Sequence, residues 1–158
     1  MLKNLRLVVL SFLLLVCCSA AIYGQPFLLA TEQAQDRLLL IDPTPSVSKH
    51  IVWQWSPLTD STVPEQRKKW FTNPSDAKAS ADRKTIYFTC SGGAIGAVDI
   101  ATDRLRWYTW SGSNPHSIEP LDNGFVATAS SNGNFVKVFY TAGKTGYIDS
   151  TTVDRATL

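Results

Sequence analysis

Three pairs of short apolar runs constrain this chain more than any other feature. Each run is rich in β-branched, aromatic and aliphatic residues, and each pair is joined by polar or glycine-rich residues. Residues 27–31 (FLLAT) pair with 38–42 (LLLID) across Gln33-Ala-Gln-Asp36. Residues 86–90 (IYFTC) pair with 94–98 (AIGAV) across Ser91-Gly-Gly93. Residues 125–129 (FVATA) pair with 135–139 (FVKVF) across Ser130-Ser-Asn-Gly133. Runs of this length and composition read as strands, and tight tips of this kind reverse them into hairpins. Helical periodicity is nearly absent, so the chain is expected to be all-β.

The hairpins recur as parts of a larger unit. The first two are each followed by a tryptophan-bearing run, 51–55 (IVWQW) and 105–110 (LRWYTW), and both continue into a serine, Ser56 and Ser111. The second and third share an Asn-Pro lead-in, Asn73-Pro74 and Asn114-Pro115, and an Asp near the turn, Asp82 and Asp122. Tyr87 to Val126 sets a period of 39 residues. A period near 40 with three or four strands per unit is the mark of a β-propeller. The expectation is a partial β-propeller of about three blades, antiparallel hairpins with a Trp-bearing third strand, over residues 25–140. The units fall at about 25–56, 74–111 and 114–140, with 141–158 a polar tail or incomplete blade that supplies at most one strand. An antiparallel sandwich with similar hairpins is the alternative. Closed propellers need at least four blades. Either the chain is a piece of a longer one, which is the favoured expectation, or several chains complete the ring through exposed blade faces, or the fold is not a propeller.

One stretch carries a family resemblance. Ala97, Asp99, Thr102 and Trp107 stand at the spacing Ala-x-Asp-x-x-Thr-Gly-x-x-x-Trp, with Asp103 in place of the glycine. This resembles the blade repeat of quinoprotein-type (PQQ-like) propellers. The resemblance implies that the Asp and Thr close a turn between strands and that the Trp docks between blades. It does not imply quinone binding, because many such propellers are scaffolds. The first unit keeps Ile41-Asp42 and Trp53 around a longer loop, and the third has neither Asp nor Trp. The opening, residues 28–33 with 38–42, also looks like an uncharacterised family of secreted propeller-like proteins of fungi and bacteria, which brings no activity.

The N-terminus supplies a compartment. Lys3 and Arg6 precede the run 7–18 (LVVLSFLLLVCC), and small residues follow at Ser19, Ala20 and Ala21. Residues 1–24 are therefore expected to be a secretory signal peptide, cleaved after Ala21 or Gly24. The apolar run is too short to span a bilayer as a helix. A buried core helix would show polar residues at helical spacing, and this run has only Ser11. A lipid anchor on Cys17 or Cys18 would want a small residue before it, where Val16 and Cys17 stand. With Lys3 and Arg6 removed, the 15 basic residues fall to 13, equal to the 13 acidic ones. No basic patch then points to nucleic acid or to an anionic membrane. Cys90 is left as a single cysteine on a strand, expected to be buried rather than bonded to a second chain.

Candidate chemistry is sparse. Of two histidines, His50 reads as a loop residue. His116 is the one weak candidate for a catalytic group, because it precedes a strand expected to line the propeller channel, while the second unit has Ser75 there. A turn histidine donating to a backbone carbonyl is the competing reading. No His or Cys pair stands at zinc spacing and no calcium loop, phosphate loop or dinucleotide fingerprint occurs, so neither metal nor cofactor is expected. Residues 56–69 (SPLTDSTVPEQRKK) read as a solvated surface loop, followed by Trp70 and Phe71 as exposed aromatics for binding. The function expected is a secreted binding or scaffold protein without catalysis, its partner an extracellular glycan or protein. The alternative is a fragment or subunit of a secreted propeller enzyme such as a polysaccharide lyase, with His116 in its site and Arg83, Lys84 or Arg104 as its cation.

Overall fold

The computed structural model describes residues 27–46, 48–130, 132, 135–149 and 154–157. The expected signal peptide lies outside them. Three sheets follow one another along the chain, each built around consecutive antiparallel strands. Blade 1 is β1 (Leu28–Glu32), β2 (Arg37–Ile41) and β3 (Ile51–Trp55). Blade 2 is β4 (Pro74–Ala79), β5 (Thr85–Cys90), β6 (Ala94–Asp99) and β7 (Arg104–Trp110). Blade 3 begins with β8 (Pro115–Pro120), β9 (Phe125–Ser130) and β10 (Phe135–Tyr140). The arrangement is an arc of three propeller blades, stacked face to face.

The middle blade explains why the stack holds. Every residue from Ala94 to Val98 is fully buried, and they alternate between two cores. Ala94 and Val98 join Leu38, Trp55, Phe71, Ile86, Phe88 and Tyr108 against blade 1. Ile95 and Ala97 join Trp107, Ile118, Val126 and Phe139 against blade 3. A strand with side chains alternating between two covered faces has no polar side to show. Gly96 keeps the blade 1 face passable, because a Cβ there would lie 2.8 Å from the Phe88 ring. Cys90 is buried in the first core, as expected, and burial pushes its thiol well above the ordinary range. A bond to a second chain would require the blades to part.

Two strands were not legible as strands. The Asn-Pro lead-ins are the starts of β4 and β8, each the first strand of its blade. Asn73 and Asn114 take left-handed backbone angles, φ 53° and 60°. The following proline then opens the strand, the position where its missing N–H costs least. Both strands shift register just after that proline, before Asp76 and before Ser117. Pro74 pairs with Cys90, and Pro115 with Ser130. Cys90 and Ser130 are therefore equivalent, and the hairpin period is 40 residues rather than 39. The difference matters, because a slip of one residue exchanges the two faces of a strand. Tyr87 answers to Ala127, not to Val126.

The tryptophans align differently from their serine neighbours. Trp53 lies opposite Leu40 and Trp107 opposite Ala97, and the register shifts beside both, between Leu40 and Ile41 and between Ala97 and Val98. Trp55 corresponds to Thr109, so the repeated Trp-Ser is a coincidence of sequence. The turn after β6 closes as Asp99 Oδ1 accepts from the Thr102 N–H and hydroxyl, each at 3.0 Å. Asp103, where the resembling repeat has glycine, sits at φ 56°. Its carboxylate accepts from Trp53 Nε1 of blade 1 at 2.5 Å. Trp107 is buried between blades 2 and 3.

The stretch after Tyr140, expected to add at most one strand, adds two. β11 (Gly146–Tyr147) pairs in parallel with β7, and β12 (Asp154–Thr157) pairs with β10 and completes a four-stranded blade 3. Turn-forming residues at 141–146 hid this return: Gly143 and Gly146 both take φ 69°.

Candidate functional site

The segment between Trp55 and Trp70 is not a solvated connector. Val63 and Asp60 are buried, and a 3-10 helix runs over Glu65–Phe71. Asp60, only 7% exposed, is the clasp. Its carboxylate accepts from Trp55 Nε1 (2.8 Å), from the Thr62 N–H (2.8 Å) and hydroxyl (2.6 Å), and from the Leu105 N–H (2.7 Å). Burial pushes this carboxyl up, but the hydrogen bonds outweigh it and hold it below the ordinary range. Sequence reading passes over Asp60, since a Thr-Asp-Ser-Thr stretch has the composition of an exposed turn.

The 3-10 helix splits the two aromatic candidates. Phe71, expected to be exposed, is 1% exposed and packs against Trp55, Phe88 and Tyr108 in the first core. It is a core residue and offers nothing to a partner. Trp70 is half-buried, 5.1 Å from the Trp110 ring and 6.3 Å from Tyr147. Arg67, one turn earlier, lies over Tyr147 at 4.0 Å, Trp70 at 5.0 Å and Tyr108 at 5.5 Å. It also donates to the Tyr108 hydroxyl at 2.9 Å. A guanidinium stacked on three rings and hydrogen-bonded fixes all of them in place. Gly93 lets this cluster form, since a Cβ there would run into the Trp110 ring.

Tyr147 also faces the other way. It lines a groove of about 430 Å3 with Phe139, Tyr140, Lys144, Thr145, Ile148 and Asp149. Tyr140 and Tyr147 remain 50% and 41% exposed, while Ile148 packs against the core between blades 2 and 3. The groove thus combines two exposed aromatic rings with a cation, a carboxylate and a hydroxyl. Such a set offers ring faces to apolar C–H surfaces and donors and acceptors to hydroxyls. Neither tyrosine was singled out from sequence. Tyr140 ends an alternating strand and Tyr147 sits between turn formers, and nothing local in the sequence marks either as exposed.

His116 is exposed on β8 itself rather than ahead of it. Ser75 occupies the same place on β4, its hydroxyl 2.8 Å from that of Ser91. The cations proposed to serve His116 stand at the other end of the sheet. Arg104 pairs with Asp99, which pairs with Thr85, and Arg83 and Lys84 precede that residue. His116 instead follows Asn114, whose N–H donates to the Ser91 carbonyl beyond the far end of β5. Arg104 donates to Ser61. Among the described residues, no three His, Cys, Asp or Glu side chains are grouped to hold a metal ion.

The profile of DUF6528, a family of unknown function, matches residues 21–153, and the chain belongs to that family. No curated protein matches it. Among solved structures, dihydro-heme d1 dehydrogenase NirN in complex with DHE is similar at 11% identity, with a TM-score of 0.49 over 73% of this chain. The chain spans 22% of that protein's length.

Proposed function

We propose that this member of DUF6528 is an extracellular propeller module that binds glycans in the Tyr140–Tyr147 groove, without catalysis. The observation that carries the reading is the pair of exposed tyrosine rings flanking Lys144, Thr145 and Asp149, one of them held from behind by Arg67. Sugar rings offer alternating apolar and hydroxyl surfaces, and this lining has a counterpart for each. Secretion follows from the cationic lead, apolar run and small residues of 1–24. The Asp99–Thr102 turn and the inter-blade docking of Trp107 support a PQQ-like blade repeat used as a scaffold.

A panel of immobilised neutral and acidic polysaccharides tests this. Removing either ring loses the burial of one aromatic side chain, about 1.5–3 kcal/mol. Tyr147→Ala and Tyr140→Ala should therefore each weaken binding roughly 10–100-fold. Binding that survives both changes would sink the groove as the site. Secretion is tested by N-terminal sequencing of protein from culture medium, where a start between Ile22 and Pro26 is expected and a start at Met1 would refute it.

A further inference from the structure

A second groove, close in size to the first, opens at the junction of blades 1 and 2. It measures about 460 Å3 and is lined by Lys49, Ile51, Val52, Trp53, Gln54 and Asp103. Asp103 comes from the turn after β6 on blade 2, and the others come from β3 and the residues leading into it on blade 1. The groove is open because β3 lacks what β7 has. On blade 2 the outer edge of β7 is covered by β11, and the Ile148 N–H donates to the Tyr108 carbonyl at 2.8 Å. Gln54 takes the place of Tyr108 on blade 1, since Trp55 corresponds to Thr109. Among the described residues, no strand pairs with the outer edge of β3. Its main-chain donors and acceptors are therefore open to a ligand.

The side chains supply a set that matches the first groove. Trp53 is half-buried, and its Nε1 donates to Asp103 across the blade gap at 2.5 Å. That bond fixes the indole from blade 2, much as Arg67 fixes Tyr147 from behind. Ile51 and Val52 add aliphatic surface, and Val52 is 47% exposed. Gln54 Oε1 accepts from Arg37 at 2.8 Å, which leaves the amide N–H2 to donate. Lys49 adds a cation, and the second oxygen of Asp103 an acceptor. Each groove thus joins an aromatic ring to one lysine, one aspartate, one neutral hydrogen-bonding side chain and aliphatic surface. The two linings come from different positions of the repeat, so repetition alone does not produce the match.

We infer that the Trp53 groove is a second glycan site, so that one chain grips a polysaccharide at both blade junctions. The inference rests on reading the Tyr140–Tyr147 groove as a glycan site. One lysine and one aspartate balance in each groove, which selects a neutral sugar over a polyanion. A pyranose ring would lie against the indole, with its hydroxyls meeting Gln54 and Asp103. Two weak sites reinforce one another on any polymer long enough to reach both.

Isothermal titration calorimetry with cellotetraose, laminaritetraose and chitotetraose tests this on the full chain. Two bound molecules per chain are expected for the tetrasaccharide that binds. Lys49→Ala with Gln54→Ala should remove one of them and leave the other unchanged, and Tyr147→Ala should do the reverse. Val52→Arg fills the groove by an independent, exposed substitution, which covers the case in which the double variant fails to fold by circular dichroism. On the matching immobilised polysaccharide, loss of the Trp53 groove should weaken retention at least roughly 10-fold, because the second attachment is gone. A single site that Tyr147→Ala abolishes and the Trp53-groove variants leave untouched would overturn the inference while the first groove stands. A single site lost only with the Trp53-groove variants would overturn the reading of the first groove and the pairing of the two. Binding of none of the three sugars would overturn both.

Discussion

The two inter-blade interfaces are built from different materials. Between blades 1 and 2 lie Trp55, Phe71, Phe88 and Tyr108, with the 56–71 segment folded in and clasped by Asp60. Between blades 2 and 3 the apolar part is smaller, chiefly Ile95, Trp107, Ile118, Val126 and Phe139. The rest of that interface is polar and buried: Thr89, Thr109 and Ser111 from blade 2 and Thr128, Ser130 and Lys137 from blade 3. Lys137 Nζ donates to the Ser111 carbonyl at 2.5 Å and Thr128 to the Ser117 carbonyl at 2.7 Å. Among the described residues, the hydroxyls of Thr89, Thr109 and Ser111 find no hydrogen-bond partner. An unpaired buried hydroxyl costs free energy that an apolar group of the same shape would not. The first interface is the stabilising one. The second is the weaker, and the groove opens beside it, which fits the general tendency for binding regions to lie where local stability is low.

Substitutions can break this contrast from either side. The largest effect is expected for Phe88→Ala, fully buried against the Trp55 and Phe71 rings, at about 3–5 kcal/mol by urea denaturation. A cost under about 1 kcal/mol would mean that the first interface is not the anchor.

Next comes Asp60→Ala, which leaves the Trp55 indole N–H and the Leu105 N–H without acceptors, at about 2–4 kcal/mol. Asp60 also sets a pH dependence. Its folded pKa lies below the ordinary value, so its contribution is fully present above about pH 4 and is lost as pH falls through the folded pKa. Asp60→Asn should flatten the acid limb of the stability curve, and an unchanged limb would assign it to other carboxylates.

Thr109→Val probes the second interface. Replacing a partnerless hydroxyl by a methyl should leave stability unchanged or raise it by up to about 1 kcal/mol. A loss above 1 kcal/mol would mean the hydroxyl is satisfied in solution.

His116→Ala should have the smallest effect, under about 1 kcal/mol, with glycan binding unaltered. If the wild type released unsaturated uronate products and His116→Ala abolished that absorbance, the lyase reading would replace the one proposed, since a positioned base contributes ~10²–10⁴-fold.

What was legible in the sequence follows from what each strand faces. β5, β6, β9 and β10 bury apolar residues and announce themselves by composition. β4, with the sequence PSDAKA, carries few apolar side chains, and its strand character comes from pairing with β5. β8 is hidden in the same way behind its prolines. The turn at Asp99 was legible because its hydrogen bonds are local. The groove was not, because Tyr140 and Tyr147 meet only after the chain returns along β7. Phe71 misled for a related reason: charged residues at 65–69 mark the solvent face of the 3-10 helix, and its buried end looks the same in sequence.

Native-state hydrogen exchange on the wild-type chain measures the difference between the interfaces directly. Amides of β5, β6 and 53–55 are expected to exchange only through global unfolding, while those of β8, β9 and β10 exchange through an earlier, partial opening of lower free energy. One common exchange free energy across β1 to β10, or greater protection in β8–β10 than in β5–β6, would contradict the division into an anchoring interface and a yielding one.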